Sequence, residues 1–152
     1  RPSATLTNLT AHPKATASFT DDARVFAGLV TRSRSFPLTD IEKWPAPRLS
    51  GALAHAELEV VRVEEDDMRP RFVCRVNRTQ AHRPFLGMNR ARAAVLEAAI
   101  LATRLKMLPR EKIDSEIAYL KISIDKTAGD AEREAWEMVM AKIAEHFETQ
   151  DK

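Results

Sequence analysis

The sequence predicts an α+β fold in which strands occupy the first part of the chain and helices the second. Up to residue 84, apolar and polar residues alternate in short runs separated by proline-rich loops. From residue 85 onward, apolar residues recur at intervals of three and four, which is the period of a helix. We therefore divide the chain into a strand-rich region, residues 1–84, and a C-terminal helical subdomain, residues 85–152.

The first strand is expected at residues 14–20 (KATASFT), where small polar and apolar residues alternate. Two aspartates follow it, and acidic residues favour the start of a helix, which we place at residues 22–31. The inward face of this helix would consist of Val25, Phe26, Leu29 and Val30. Residues 31–50 lack a clear period and contain three prolines, which predicts a loop with one helical turn around residues 40–43.

An antiparallel hairpin is expected next, from two alternating runs at residues 53–64 and 71–78. In the first run the apolar residues change parity between Val60 and Val61, which indicates a bulge or a bend. In the second run, Phe72, Cys74 and Val76 would point inward.

Three helices follow, and their short links predict a small three-helix bundle. Asn89 is expected to cap the first, residues 90–108, and Pro109 to stop it. The second, which Gly129 ends, has a stripe made of Ile113, Ile117, Leu120 and Ile124. The third begins at Asp130, and its inward face is Trp136, Val139, Met140, Ile143 and Phe147.

Composition excludes several classes of protein. The 24 basic and 22 acidic residues leave a net charge of +2, too small for a strong nonspecific attraction to nucleic acid or anionic lipid, and neither partner is expected. The single cysteine, Cys74, excludes an intramolecular disulfide and favours a cytoplasmic location. No apolar run is long enough to cross a bilayer. The chain begins at Arg1 rather than at a methionine, so we expect it to be a fragment of a longer protein.

The N-terminal segment is rich in groups that bind phosphate. Guanidinium, hydroxyl and amide donors occur close together there, at Arg1, Ser3, Thr5, Thr7 and Asn8. Together with backbone N–H groups they suit an anionic ligand, although a solvated chain terminus is the alternative explanation.

Other candidate sites have structural explanations. Arg90, Arg92 and Arg104 offer charges for a phosphate, but pairing with Glu97 or other acids of the helices is the competing explanation. The four histidines have no metal-ligand spacing, so no metal is expected. Because nucleophile-elbow, phosphate-loop and dinucleotide motifs are also absent from the sequence, no catalytic residue can be named.

Three segments carry a resemblance to a known family: RPSATLTNL, SFTDDARVFA and FLGMNRARAAVLEAAILATRLKML, followed by an isoleucine-rich helix that ends in DKTAGDAEREAW. In this order they resemble an uncharacterised archaeal and bacterial family. Its members are similar to flavin reductases, in that an FMN-binding split β-barrel carries a helical C-terminal extension. The resemblance covers nearly the whole chain.

The resemblance also implies a cofactor site and an assembly. Arg1, Ser3, Thr5, Thr7 and Asn8 would hold the FMN phosphate, and Phe19 and Thr20 would approach the flavin. The flavin would lie at the interface of a homodimer. Such proteins usually open with further strands and an Ala-Pro-Met-Gly type turn, none of which precedes Arg1 here, so the barrel is expected to lack its N-terminal strands in this chain.

Three functions remain open at this point. The first is an FMN-dependent oxidoreductase related to flavin reductases, in which the cofactor supplies the redox chemistry. The second is a noncatalytic flavin-binding module. The third is a helical protein that recruits a partner.

Overall fold

The computed structural model describes residues 3–32, 35–66 and 70–150, except for the side chain of Gln150. Within these residues the fold is α+β, with five helices and two antiparallel sheets. The helices are α1 (Ala4–Ala11), α2 (Ala23–Thr31), α3 (Arg90–Ala102), α4 (Arg110–Thr127) and α5 (Asp130–Gln150). The strands are β1 (Lys14–Phe19), β2 (Leu38–Ile41), β3 (Trp44–Leu49), β4 (Ala54–Glu64) and β5 (Arg71–Ala81).

The chain divides into two units. Residues 1–20 and 36–85 form one, the sheet unit, and residues 21–35 and 86–152 form the other, the helical unit. Helix α2 therefore groups with the C-terminal helices, although it lies among the strands in the sequence. None of the helices in the described ranges combines the length and apolar character that a membrane-spanning segment requires.

The main sheet has the strand order β1-β4-β5. Two register shifts interrupt the β4–β5 ladder, one between Glu57 and Leu58 and one between Val60 and Arg62. The second shift confirms the irregularity that the parity change predicted. The inward direction predicted for Val76 is wrong, because its side chain is 55% exposed on β5, which lies at an edge of this sheet.

A second hairpin, β2–β3, replaces the loop predicted for residues 31–50. Its turn places Lys43 at φ 61°, and no helical turn forms there. The prolines of β3 had argued against a strand. They are tolerated because β3 pairs with only one strand, so a missing N–H on its other side costs no ladder hydrogen bond.

Side-chain hydroxyls of β1 join this hairpin to the main sheet. Thr16 Oγ1 donates to the Ala46 carbonyl at 2.7 Å and accepts from Trp44 Nε1 at 3.1 Å. Ser18 Oγ accepts from the backbone N–H of Leu49 at 3.0 Å. The face of the sheet that carries Thr16 and Ser18 is therefore bonded to β3.

The helical unit has a core of small and branched apolar side chains. Its fully buried members include Val95, Ile113 and Val139, and alanines of α2, α3 and α5 surround them. Alanine allows helix backbones to approach closely, since there is little side chain to separate them. The face predicted for the last helix is confirmed: Trp136, Val139 and Ile143 are buried, and Met140 and Phe147 pack against them.

Two details of the predicted helices need correction. Helix α3 ends at Ala102 instead of residue 108, because turns follow until Pro109, which is the N-cap of α4. Helix α2 buries Ala23, Val25, Ala27 and Gly28, whereas the predicted Phe26 and Leu29 are 37% and 64% exposed. The predicted cap is confirmed, since Asn89 Oδ1 accepts from the backbone N–H of Ala91 at 2.7 Å.

Candidate functional site

A cleft of ≈ 750 Å³ lies within the sheet unit, between helix α1, the start of β1 and the prolines of β3. Its volume is in the range of cofactor and small-ligand sites. The polar lining residues are Thr5, Asn8, His12, Lys14 and Thr16, and the apolar ones are Leu9, Pro13, Ala15, Pro45, Ala46 and Pro47. No carboxylate is among these lining residues. The lining suits a ligand with one anionic and one apolar part.

Helix α1 was not predicted, and it determines which N-terminal side chains reach the cleft. Thr5, Asn8, Leu9 and His12 follow the spacing i, i+3, i+4, i+7 and so lie on one face from the helix to its C-cap. Ser3 caps the helix, its Oγ accepting from the backbone N–H of Leu6 at 3.1 Å. Thr7 Oγ1 donates to the Ser3 carbonyl at 3.3 Å. The hydroxyls of Ser3 and Thr7 are thus engaged in the helix itself.

The predicted site residues are therefore only partly brought together. Thr5 and Asn8 line the cleft, whereas Phe19 lies at the other end of β1 with 53% of its surface exposed. A strand of this length separates its ends by roughly 17 Å. Thr20 follows β1 directly. Arg1 lies outside the described residues. Whether these residues bind a cofactor stays a prediction.

Lys14 is the lysine among the described residues that line the cleft. Its Nζ lies 5.1 Å from the centre of the Trp44 ring, which is a cation–π distance. Glu59 is opposite Lys14 in the sheet, but Glu59 Oε2 already accepts from Arg75 at 2.8 Å and from Asn77 at 3.0 Å. Hydrogen bonds from Asn77 and Arg75, with smaller contributions from the charges of Arg75 and Lys14, lower the pKa of Glu59. The Glu59 carboxylate is therefore held chiefly by Arg75 and Asn77, and Lys14 contributes through its charge.

A second polar cluster in the sheet unit consists of His55, Glu57 and His82. His55 Nδ1 and His82 Nε2 are 2.8 Å apart, and the rings are almost parallel, at 7°. The other nitrogen of His55, Nε2, lies 3.6 Å from Glu57 Oε1. Because Glu57 faces the nitrogen that His82 does not contact, the three groups form a linear chain and do not converge on a metal-binding point.

Burial makes this cluster unusual. The side chain of His55 is 1% exposed and that of Glu57 10%. In the described part of the chain, neither His55 Nε2 nor Glu57 Oε1 has a hydrogen-bond partner. Buried polar atoms without a partner cost about 1–3 kcal/mol each, so their presence needs an explanation.

The arginines of the helical unit have a structural role. Arg92 Nε donates to Glu132 Oε1 at 2.8 Å, and Arg92 Nη1 is paired with Asp21. Burial raises the pKa of Glu132, but hydrogen bonds from Arg92 and from the Gly129 backbone outweigh this effect and lower it overall. The pairing explanation is therefore confirmed for Arg92, with partners other than the predicted Glu97.

Comparison with known proteins identifies the family. Residues 1–83 match the family described as "Protein of unknown function (DUF447) N-terminal domain", and residues 89–141 match "Protein of unknown function (DUF447)". The chain belongs to the DUF447 family. No protein of curated function matches it.

The fold of this DUF447 chain is similar to a solved structure. It aligns with the crystal structure of the FMN-bound protein MM1853 from Methanosarcina mazei, which is assigned to the same family. The TM-score is 0.77 at 22% sequence identity, over 93% of this chain and 78% of the other. The predicted resemblance to an uncharacterised family is thereby confirmed.

The sequence analysis of this DUF447 chain did not select His12, Lys14 or the pair formed by His55 and His82 as site residues. Lys14 was visible as a cation at the start of a strand, but its position beside the cleft depends on a helix that was not predicted. His55 and His82 are 27 residues apart, and only the β4–β5 pairing brings them together. No spacing rule would have found them.

Proposed function

We propose that this chain binds FMN in the cleft formed by α1, β1 and β3. The observation that carries the proposal is the lining of the cleft, which combines a cation, an amide and hydroxyls with a proline-rich apolar side. The alignment with an FMN-bound member of the same family supports it. Lys14, Asn8 and Thr5 would hold the phosphate, since charged and neutral donors together favour a dianion.

This assignment modifies the site that the resemblance implied. Thr5 and Asn8 keep their role, whereas the hydroxyls of Ser3 and Thr7 would contribute chiefly by holding α1 in place. Phe19 and Thr20 remain proposed contacts of the flavin at the far end of β1. Arg1 remains a proposed phosphate ligand.

We further propose that the sheet unit belongs to a split β-barrel like that of flavin reductases, and that the chain functions as a homodimer. Bound FMN would supply the redox chemistry, whereas the protein would bind and orient it. A noncatalytic flavin-binding module is the alternative. Recruitment of a partner through Trp136 is not favoured, because that side chain is buried in the helical core.

Titration of the purified chain with FMN and with riboflavin tests the binding site. FMN should bind at least tenfold more tightly than riboflavin, because only FMN carries the phosphate. The Lys14→Gln and Asn8→Ala variants should each weaken FMN binding and reduce this preference. Lys43→Gln, which removes an exposed lysine of the β2–β3 turn, is the matched control and should change neither value.

Two outcomes would overturn the proposal. If the chain binds no FMN, flavin binding is wrong. If it binds both flavins equally and Lys14→Gln has no effect, the phosphate does not lie in this cleft.

Oxidation of NADH or NADPH with added FMN, above the rate with free flavin, would separate an enzyme from a binding module. Light scattering with and without FMN tests the dimer.

A further inference from the structure

The cluster of His55, Glu57 and His82 has no role in the FMN cleft, whose lining includes none of the three. Its atoms follow in the order Glu57 carboxylate, the two nitrogens of His55 and His82 Nε2, with His55 the most buried of the three residues. His55 is fully buried, whereas His82 is half-exposed. The two imidazoles are therefore directly linked, and the row ends at His82, its half-exposed member.

The positions of the protons on the two histidines follow from the carboxylate of Glu57. Glu57 Oε1, at 3.6 Å from His55 Nε2, is too far for a hydrogen bond, but the negative charge of the carboxylate favours the tautomer of His55 that carries its proton at Nε2. In a neutral imidazole the other nitrogen, Nδ1, is then an acceptor, and His82 Nε2 must donate to it. Within the part of the chain that the structure describes, His82 Nδ1 is then the nitrogen that keeps its lone pair. His82 is thus held in the tautomer that makes its remaining nitrogen a base.

The hydroxyl groups next to the row are bonded elsewhere, and a guanidinium lies near its carboxylate. Thr16 and Ser18 of β1 lie opposite Glu57 and His55 in register, but both hydroxyls are bonded to β3. On β5, Arg78 Nη1 lies 3.9 Å from Glu57 Oε1 and balances the carboxylate charge from the solvent side. With these hydroxyls bonded to β3, the contact that the described residues give His55 Nε2 is the electrostatic one with Glu57 Oε1, at 3.6 Å.

Arg48 is the charged group of β3 that faces His82. Burial, and then the charges of Arg48 and His55, lower the pKa of His82 below its ordinary value, which favours the neutral imidazole. Arg48 Nη1 donates to the backbone carbonyls of Leu49 and Ser50, at 3.0 and 3.2 Å, which holds the guanidinium in position. A fixed positive charge beside a neutral base favours a ligand that becomes an anion when it loses a proton.

We propose that His82 is an acid–base site, with His55 and Glu57 as positioning residues, and that its ligand is a weak N–H or O–H acid. In the forward step a proton moves from the ligand to His82 Nδ1, and the electron pair stays on the ligand, which becomes an anion next to Arg48. The His82 Nε2 proton shifts toward His55 Nδ1, at 2.8 Å, and the Glu57 carboxylate stabilises the resulting positive charge on the imidazoles through its own charge. In the reverse step the same proton returns to the ligand, so no other reactant is required.

Nitrogen-15 NMR of the histidine side chains tests the row in the wild-type chain. A scalar coupling should connect His82 Nε2 with His55 Nδ1, and acid should protonate His82 at Nδ1. In Glu57→Gln the pKa of His82 should fall by about one unit, because the protonated imidazole loses the stabilising negative charge of the carboxylate. Glu59→Gln, which removes a carboxylate two residues further along β4, should leave it unchanged. Independent titration of the two histidines would overturn the proposal.

Acylation by diethyl pyrocarbonate measures the reactivity of His82 Nδ1 without any cofactor. A lone pair activated by His55 and Glu57 should react at least tenfold faster than the exposed His12. Glu57→Gln should reduce this advantage to less than threefold at an unchanged melting temperature, and Glu59→Gln should preserve it. Equal rates at His82 and His12 in the wild type would overturn the proposal. Since neither measurement uses flavin, the result is independent of the proposed FMN site.

Discussion

The two units of this chain bury different kinds of side chain. The helical unit has an apolar core in which the buried charged residue, Glu132, is paired with Arg92. The sheet unit has fewer buried apolar residues and encloses two polar atoms, His55 Nε2 and Glu57 Oε1, that lack a hydrogen-bond partner among the described residues. The difference indicates that apolar burial dominates in the helical unit, whereas the sheet unit maintains unfavourable polar burial at the proposed acid–base site.

The largest effect is expected from the core of the helical unit. Ile113 is 0% exposed, so Ile113→Ala should reduce the free energy of unfolding by about 2–5 kcal/mol through lost burial and a cavity. Ile122 lies on the same helix but is 45% exposed, and Ile122→Ala should cost about 1 kcal/mol or less. Denaturant unfolding measures both values. Similar values for the two variants would contradict the assignment of the core to this face of α4.

A smaller loss should follow from the pairing of Arg92. Arg92→Met removes the hydrogen bond to Glu132 and the pair with Asp21, and since Arg92 is 34% exposed we expect a loss of about 1–2 kcal/mol at neutral pH. Arg104→Met, at an exposed arginine beyond α3, is the control and should change stability little.

The same pair predicts a pH dependence. The folded-state pKa of Glu132 is below its ordinary value of 4.5, so its contribution to stability is complete above that pH and is lost as the pH falls through the folded value. Denaturant unfolding between pH 6 and about pH 3 should show that the difference between wild type and Arg92→Met shrinks in acid. A difference that stays constant would mean that charge pairing is not its cause.

In the sheet unit, the bond between Trp44 and Thr16 should contribute about 0.5–1.5 kcal/mol. Trp44→Phe removes the donor and keeps an aromatic ring. In a Thr16→Val background, Trp44→Phe should reduce the free energy of unfolding by less, because the acceptor, Thr16 Oγ1, is already missing. A double-mutant cycle of unfolding free energies measures this coupling. A coupling near zero would mean that packing, and not the hydrogen bond, joins β3 to β1.

The smallest effect is expected on the surface of α4. Lys121 Nζ lies 2.6 Å from Asp125 Oδ1, one helical turn away, but both side chains are more than half exposed. Lys121→Ala should therefore change the free energy of unfolding by about 0.5 kcal/mol or less. A loss comparable to that of Ile113→Ala would break the distinction between core and surface in this unit.

The sequence predicted the elements whose residues have a strong period or a clear cap. The β4–β5 hairpin with its irregularity, the cap at Asn89 and the apolar face of α5 all follow from local patterns. Helix α1 was missed because threonine and asparagine are poor helix formers, and the β2–β3 hairpin because prolines usually exclude a strand. The Ser3 cap favours α1, and the edge position of β3 allows its prolines to remain in a strand.

The candidate sites were less predictable than the fold. Thr5 and Asn8 were chosen as phosphate ligands from residue type and resemblance, and both line a cleft that pattern reasoning did not foresee. Ser3 and Thr7 were chosen for the same reason, but helix formation engages their hydroxyls. Threonine therefore has two roles in this segment: Thr5 lines the cleft, whereas Thr7 is bonded within the helix. The helical conformation of residues 4–11 determines which role each one has.

By itself the sequence determined the α+β class, the main hairpin, the helices of the C-terminal region and the family, because these depend on periodicity and on ordered local motifs. Only the tertiary structure decided that α2 packs with the C-terminal helices, that Lys14 borders a cleft, and that Glu57 and His82 meet at the buried His55. The physical reason is the range of the interactions. Local patterns report contacts within a few residues, whereas strand pairing and core packing join groups that lie tens of residues apart and assign each side chain its environment.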